Sequence, residues 1–115
     1  MESTMPKTLL SLSAITMISG LIFANGANAY NRNVDIVNNS DLSIMKFQAS
    51  NVGDSTWGPD LLGSFTLDPG ESIDINLDDR TGYCRFDFRT VMEDGSILVR
   101  PGVNVCAVRR YIVTD

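Results

Sequence analysis

The sequence contains no histidine among its 115 residues, which narrows the chemistry open to the protein. Histidine is the commonest general base and the commonest metal ligand in proteins, so we expect no catalytic triad and no metal site. Positive charge is also scarce, because nine Lys and Arg stand against 14 Asp and Glu, for a net charge of −5. An acidic chain without a basic cluster is not typical of a protein that binds nucleic acid or anionic membranes. We expect no cofactor.

Long apolar runs are absent except for one near the N-terminus, Leu9 to Ala24. Lys7 precedes this run, as in the positively charged start of a secretory signal, and either Met1 or Met5 fits as the first residue. A retained membrane anchor is the alternative. The run is shorter than the roughly 20 residues that span a bilayer, so the pattern favours a signal peptide.

Two small residues after the apolar run indicate where this signal ends. Ala27 and Ala29 have the A-x-A spacing that signal peptidase recognises, which predicts cleavage before Tyr30. We therefore predict a signal peptide over residues 1–29, a single domain over residues 30–115, and a periplasmic or secreted protein with no stable membrane insertion after cleavage.

Cysteine is nearly absent, and its use agrees with export. Cys84 and Cys106 are the two cysteines of the chain, and they do not form a C-x-x-C motif. An even pair in a small exported domain predicts a disulfide, with two buried free thiols as the alternative. Two cysteines without histidine cannot complete the usual four-ligand zinc site.

Helical periodicity is missing after residue 29, whereas period-two alternation and frequent turn residues are present. This pattern predicts an all-β domain, a small antiparallel β-sandwich or partly open barrel of about six to eight strands. Residues 72–77 and 83–89 alternate most clearly, and the turn residues 78–82 predict that these two strands form a hairpin. Asp94-Gly95 predicts a second hairpin, leading into residues 96–100.

The remaining strands have weaker signals. We predict strands over residues 33–37 and 42–50, a short strand within 61–67, and one long or two short strands within 103–114, separated from the preceding strand by Pro101-Gly102. The alternation slips within residues 42–50, which indicates either a β-bulge or burial of both faces.

The predicted strand 83–89 carries the first candidate contact residues. Arg85, Asp87 and Arg89 alternate with inward-facing residues and so line its outer face. Without a binding role, these residues would form a solvent-exposed face with weak ion pairs. The functional interpretation is docking of an anionic ligand or of a partner's carboxylates, which Arg binds in bidentate fashion, with Arg109-Arg110 as an extension.

A loop rich in Gly and Pro carries the second candidate pair, Trp57 and Asp60. An exposed Trp could stack on a sugar or anchor a partner, whereas a buried one would close the end of the fold. Asp78-Asp79 is the clearest carboxylate pair, but its position in a turn predicts a solubilising role and not a calcium or glycosidase site. No G-x-S-x-G motif follows the signal and the chain has no histidine to activate a nucleophile, so we expect no enzymatic activity.

Several segments occur here in an order that is similar to that of a known protein group, namely Phe47–Asn51, Trp57–Gly63, Leu67–Ser72, Cys84–Arg89, Glu93–Gly95 and Val103–Cys106. The succession resembles small exported proteins of Gram-negative bacteria, most of them of uncharacterised function, over most of residues 33–114. Some members are labelled argininosuccinate lyase, but a chain this short, strand-rich and without histidine does not support that label. The resemblance implies an exported β-domain and no established activity.

These observations together predict a non-catalytic binding or interaction module of the cell envelope, whose partner is an unknown envelope protein or glycan. An inhibitor of a hydrolase such as lysozyme is the alternative, because an acidic loop could complement a basic enzyme cleft.

Overall fold

The computed structural model describes residues 31–115, and all regular structure in this range is β-strand. The all-β prediction is therefore confirmed. The predicted signal peptide and the cleavage residues Ala27, Ala29 and Tyr30 lie outside the described residues. Within residues 31–115, no helix is long and apolar enough to cross a membrane.

The described residues contain six strands, arranged in two three-stranded sheets that do not close into a barrel. The strands are β1 Asn33–Asn39, β2 Ile44–Asn51, β3 Ser72–Asn76, β4 Arg85–Met92, β5 Ile97–Asn104 and β6 Arg110–Thr114. The first sheet has the order β3-β1-β6 and the second the order β2-β4-β5. β1 and β6 pair in parallel, so the prediction of a wholly antiparallel fold is wrong for this pair.

Alternating apolar residues from both sheets form the core. Phe86 and Phe88 of β4 are buried, as predicted, while their neighbours Arg85, Asp87 and Arg89 are partly or fully exposed. Phe88 packs edge-on against Tyr111 of β6, with ring centroids 4.9 Å apart, and against Phe47 of β2 at 5.1 Å. Because Tyr111 belongs to the other sheet, this aromatic cluster joins the two layers.

The predicted turn at Asp94-Gly95 is confirmed, since it joins β4 to β5 in an antiparallel hairpin. Gly95 has a φ of 86°, which glycine adopts at little energetic cost because it has no Cβ atom. Its amide donates to the Met92 carbonyl at 3.0 Å, and the Met92 amide donates to the Ser96 carbonyl at 2.9 Å. The Asp94 carboxylate accepts from both the amide and the hydroxyl of Ser96.

The other predicted hairpin is wrong. Residues 72–77 and 83–89 do not pair, because β3 lies beside β1 and β4 lies in the opposite sheet. Residues 77–84 therefore cross between the sheets. Within this crossing, the carboxylates of Asp78 and Asp79 accept from the amides of Arg80 and Thr81, at 3.0 and 3.1 Å. Alternation identified the inward face of each strand but carried no information about its partner.

Two irregularities explain where the period-two pattern breaks. The β2–β4 register shifts between Ile44 and Lys46, so the slip noted in the sequence is a β-bulge. The β4–β5 register shifts opposite Asp87, where Pro101 and Gly102 together face one residue. The prediction that Pro101-Gly102 ends a strand is thus wrong, because a bulge tolerates the missing amide of proline.

The segment 60–67 covers the outer edge of β2. Leu67 forms an isolated bridge with Ile44, through hydrogen bonds of 2.8 and 3.0 Å, and the Leu61 amide donates to the Phe47 carbonyl at 2.7 Å. The short strand predicted within residues 61–67 is thus reduced to a bridge. Through these contacts, the backbone groups on this edge of the second sheet find partners.

Candidate binding groove

An open groove runs along the opposite side of the molecule, between β5 and β6. Within the described residues, β5 has one strand neighbour, β4, and β6 has one, β1, so each strand forms the edge of its sheet. A cavity of about 400 Å³ lies between them. Its walls are formed by Arg100, Pro101, Gly102, Val103, Asn104, Val108, Arg110 and Tyr111. This volume falls within the range of small-molecule sites.

Arg100 and Tyr111 give this cavity its chemistry. Arg100 is paired with buried Phe88, so its side chain lies on the inner face of β5, where the core opens into the groove. Arg110 lines the other side of the cavity at the edge of β6, but it directly precedes the inward-facing Tyr111, so its side chain points to the outer face of its sheet. Burial raises the pKa of Tyr111 above its usual 10.0, although the positive charge of Arg100 opposes this shift. The Tyr111 hydroxyl therefore remains protonated and can donate to an anion beside the Arg100 guanidinium.

The groove continues beyond this cavity towards the start of β5. A second cavity, of about 280 Å³, is lined by Ser40, Leu42, Met92, Ser96, Leu98, Thr114 and Asp115. The start of β5 thus lies near the end of β6, while Arg100 and the following residues lie near Arg110. The two edge strands therefore run antiparallel across the groove. One end of the groove is basic. At the other end the apolar side chains of Leu42, Met92 and Leu98 lie among polar residues that include Asp115.

Two of the predicted contact residues support the groove wall from behind. The Gly102 amide donates to Asp87 Oδ1 at 2.9 Å, and Arg85 Nη1 donates to the Gly102 carbonyl at 3.0 Å. Gly102, with a φ of 66°, occupies the β5 bulge. Arg85 and Asp87 thus hold the bulge that follows Arg100.

The other predicted contact residues lie apart from the groove. Arg89 Nη1 donates to Gln48 Oε1 at 2.6 Å, and Gln48 Nε2 donates to the Gly58 carbonyl at 2.9 Å. Gln48 therefore links Arg89 to the loop of Trp57, whose side chain is half-buried. Asp60 Oδ1 accepts from the amides of Phe47 and Leu62, each at 3.0 Å, which anchors the same loop to β2.

The acidic pair lines a separate, smaller cavity of about 240 Å³, together with Leu61, Leu77 and Phe86. Burial raises the pKa of Asp79, but hydrogen bonds from Thr81 and Asn51 outweigh this effect and leave the pKa below its usual 3.8. Across residues 31–115, no group of three or more Cys, Asp or Glu side chains is placed to hold a metal ion.

The predicted disulfide is present, between Cys84 and Cys106, with their Cα atoms 5.3 Å apart. It ties the start of β4 to the turn after β5, where the Val105 amide donates to the Cys84 carbonyl at 2.8 Å. The disulfide thus fixes the chain close to Asn104, which lines the basic end of the groove. A disulfide indicates a non-cytoplasmic environment.

Sequence reasoning missed Arg100, although a signal for it was present. Successive side chains of a strand point to opposite faces, so Arg100 shares the face of Leu98. A charged side chain on the core-facing side of a strand indicates a sheet edge, where it can reach solvent. Arg110 was considered only as an extension of Arg85 and Arg89, which lie in the other sheet.

No protein-family model and no curated protein sequence matches this chain. The fold is similar to the NMR structure of a protein from Eubacterium rectale, with a TM-score of 0.53 and 14% sequence identity. The match covers 76% of this chain and 80% of the other. At this identity, the likeness concerns the fold alone.

Proposed function

We propose that the protein is a non-catalytic binding module of the bacterial cell envelope, and that it binds a carboxylate-bearing ligand between β5 and β6. The observation that carries this proposal is that Arg100 and the protonated Tyr111 line one cavity, with the positive charge of Arg100 acting on the Tyr111 hydroxyl. Guanidinium groups bind carboxylates in bidentate geometry, and a neighbouring hydroxyl adds a further donor.

Three other arginines use their guanidinium groups within the fold. Arg85 and Arg89 donate to acceptors within the protein, as does Arg32, which binds the carbonyls of Gly82 and Tyr83. These guanidinium groups stabilise the fold. Arg100 instead lines open space, where an external anion can reach it.

Export supports the envelope as the compartment. The predicted signal peptide, the disulfide and the resemblance to exported proteins of Gram-negative bacteria all favour a periplasmic or secreted location. The proposed ligands are therefore acidic groups of envelope proteins or glycans. Inhibition of a hydrolase stays a prediction, to be checked by assaying lysozyme with the purified protein.

Nuclear magnetic resonance titration with N-acetylglutamate tests the site directly. We expect the amide signals of β5 and β6 around Arg100 and Tyr111 to shift in a saturable manner. Replacing Arg100 with Gln should weaken this binding by about tenfold, because a charge-assisted contact is lost.

The matched control is Arg80→Gln, which removes one positive charge from the exposed crossing 77–84, outside the groove. It should leave the titration unchanged. If Arg80→Gln and Arg100→Gln weakened binding equally, the effect would come from net charge alone. The absence of saturable shifts would contradict the proposed site.

A further inference from the structure

The free edge of β5 exposes three consecutive aliphatic side chains. Ile97, Leu98 and Val99 are 49%, 40% and 55% exposed. Exposed apolar edge strands are rare in isolated domains, because their unpaired backbone groups invite pairing with another chain. The edge of β2 is covered by residues 60–67, whereas β5 has β4 as its one strand neighbour within the described residues.

Hydrogen-bond alternation identifies which backbone groups of β5 face outward. The Met92 amide donates to the Ser96 carbonyl, so this pair is of the hydrogen-bonded kind. In an antiparallel ladder the two kinds of pair alternate, and the register continues with Leu98 and Arg100 as hydrogen-bonded residues. The amides and carbonyls of Ile97 and Val99 therefore point away from β4, along the groove.

We infer that the groove accepts an extended polypeptide segment of a partner protein, which adds to β5 as a further strand. This inference rests on the proposed function, since it names the class of partner that supplies the carboxylate. Added strands bind through their main chain, and alternate side chains provide specificity.

The two ends of the groove define the sequence of this segment. Leu98 and Arg100 both face inward, at the aliphatic and the basic end respectively. Residues two apart in a strand are about 6.6 Å apart along it. The segment therefore carries an aliphatic residue opposite the Leu98 region and an acidic residue two positions away, beside Arg100.

Charge favours a foreign segment over a second copy of this chain. Antiparallel pairing of two copies centred on Leu98 would set Arg100 of each molecule opposite Ser96 of the other, so neither guanidinium would gain an acidic partner. An acidic segment instead neutralises the basic end of the groove.

Selection from random ten-residue peptides displayed on phage, with the exported full-length product as bait, tests this inference. We expect enriched peptides to share an aliphatic residue two positions from Asp or Glu. A synthetic enriched peptide should bind the protein with about tenfold lower affinity when its acidic residue is replaced by the amide, and this difference should disappear in Arg100→Gln.

Strand addition is tested separately with Val99→Pro, which removes one outward amide without breaking the β4–β5 ladder. Peptide binding should fall by at least about tenfold in this variant and persist in Val99→Thr, which keeps the amide. Methylation of single backbone nitrogens of the peptide tests the same contact without altering the protein. Methyl groups on the alternate nitrogens that pair with β5 should abolish binding, and methyl groups on the intervening nitrogens should not.

The outcomes separate the two proposals. Saturable binding of N-acetylglutamate together with peptide binding that tolerates Val99→Pro and all backbone methylations would overturn strand addition and leave the carboxylate site. Peptides bound along β5 without any acidic preference would overturn the carboxylate site. Three further results would overturn the peptide inference. They are a dimer that dissociates in Val99→Pro, tighter binding of polygalacturonate than of any peptide, and a selection without enrichment.

Discussion

At the scale of single residues, Asn38 connects several parts of the molecule through one side chain. It is fully buried at the end of β1. Its side-chain amide donates to the carbonyls of Leu42 and Leu67, at 2.7 and 2.8 Å, and its Oδ1 accepts from the amide and hydroxyl of Ser40. The side chain therefore joins β1 to the turn after it and to the segment beside β2.

We predict that Asn38→Asp destabilises the fold by about 3 kcal/mol, because a carboxylate cannot donate to the two buried carbonyls. The loss should shrink as the pH falls, since protonation restores one donor and the folded state of this variant binds that proton more tightly than the unfolded chain. Urea unfolding at neutral and acidic pH measures both effects. Asn39→Asp, with the same charge change on an exposed neighbour, is the control and should be nearly neutral.

Thr90 presents the opposite situation. Its side chain is fully buried on β4, and its hydroxyl has no hydrogen-bond partner among the described residues. Replacement by the isosteric valine removes a desolvated polar group without leaving a cavity. We predict that Thr90→Val raises the free energy of unfolding by about 1 kcal/mol, whereas Thr114→Val on the exposed end of β6 does not. Destabilisation by Thr90→Val would reveal a partner for the hydroxyl.

At the scale of elements, the turns couple stability to pH. Hydrogen bonds from Ser96 hold the pKa of Asp94 below its usual 3.8, and the pKa of Asp79 is likewise lowered. A carboxyl with a lowered pKa in the folded state stabilises the fold above its unfolded pKa, and that stabilisation is lost as the pH falls through the folded value.

We therefore predict that unfolding becomes easier between about pH 4 and pH 2, and that Asp79→Asn with Asp94→Asn reduces this pH dependence. Thermal unfolding across this range measures the effect. Asp54→Asn with Asp78→Asn serves as a control for the loss of two charges. An unchanged slope in the first pair would show that other carboxyls govern acid unfolding.

The strands show how far sequence reasoning reaches at this scale. Local patterns identified the all-β class, the Asp94-Gly95 hairpin and the inward face of β4, because each depends on neighbours in sequence. The partner of β3 and the parallel pairing of β6 with β1 depend on contacts distant in sequence, which alternation does not encode. Arg100 and Arg110 belong to the second class, since only the placement of β5 opposite β6 brings them together.

At the scale of the whole molecule, the disulfide is the strongest single constraint. It joins residues 22 positions apart and encloses the β4–β5 hairpin. We predict that Cys84→Ser with Cys106→Ser lowers the free energy of unfolding by about 3 kcal/mol, because the unfolded chain regains the entropy of this loop. Urea unfolding of the reduced wild-type protein is the control and should match the double variant. A much smaller loss in both would mean that the loop stays compact when unfolded.

The parallel pairing of β1 with β6 has a mechanical consequence. Asn33 begins β1, while Thr114 ends β6 beside Asn39, so these two residues lie at opposite ends of one ladder. Tension applied between them loads the hydrogen bonds of that ladder in shear, all at once and not one after another. The domain is thus oriented to withstand stretching along this axis. In a force spectrometer, pulling through residues 33 and 114 should require a higher rupture force than pulling across the β4–β5 hairpin after reduction of the disulfide.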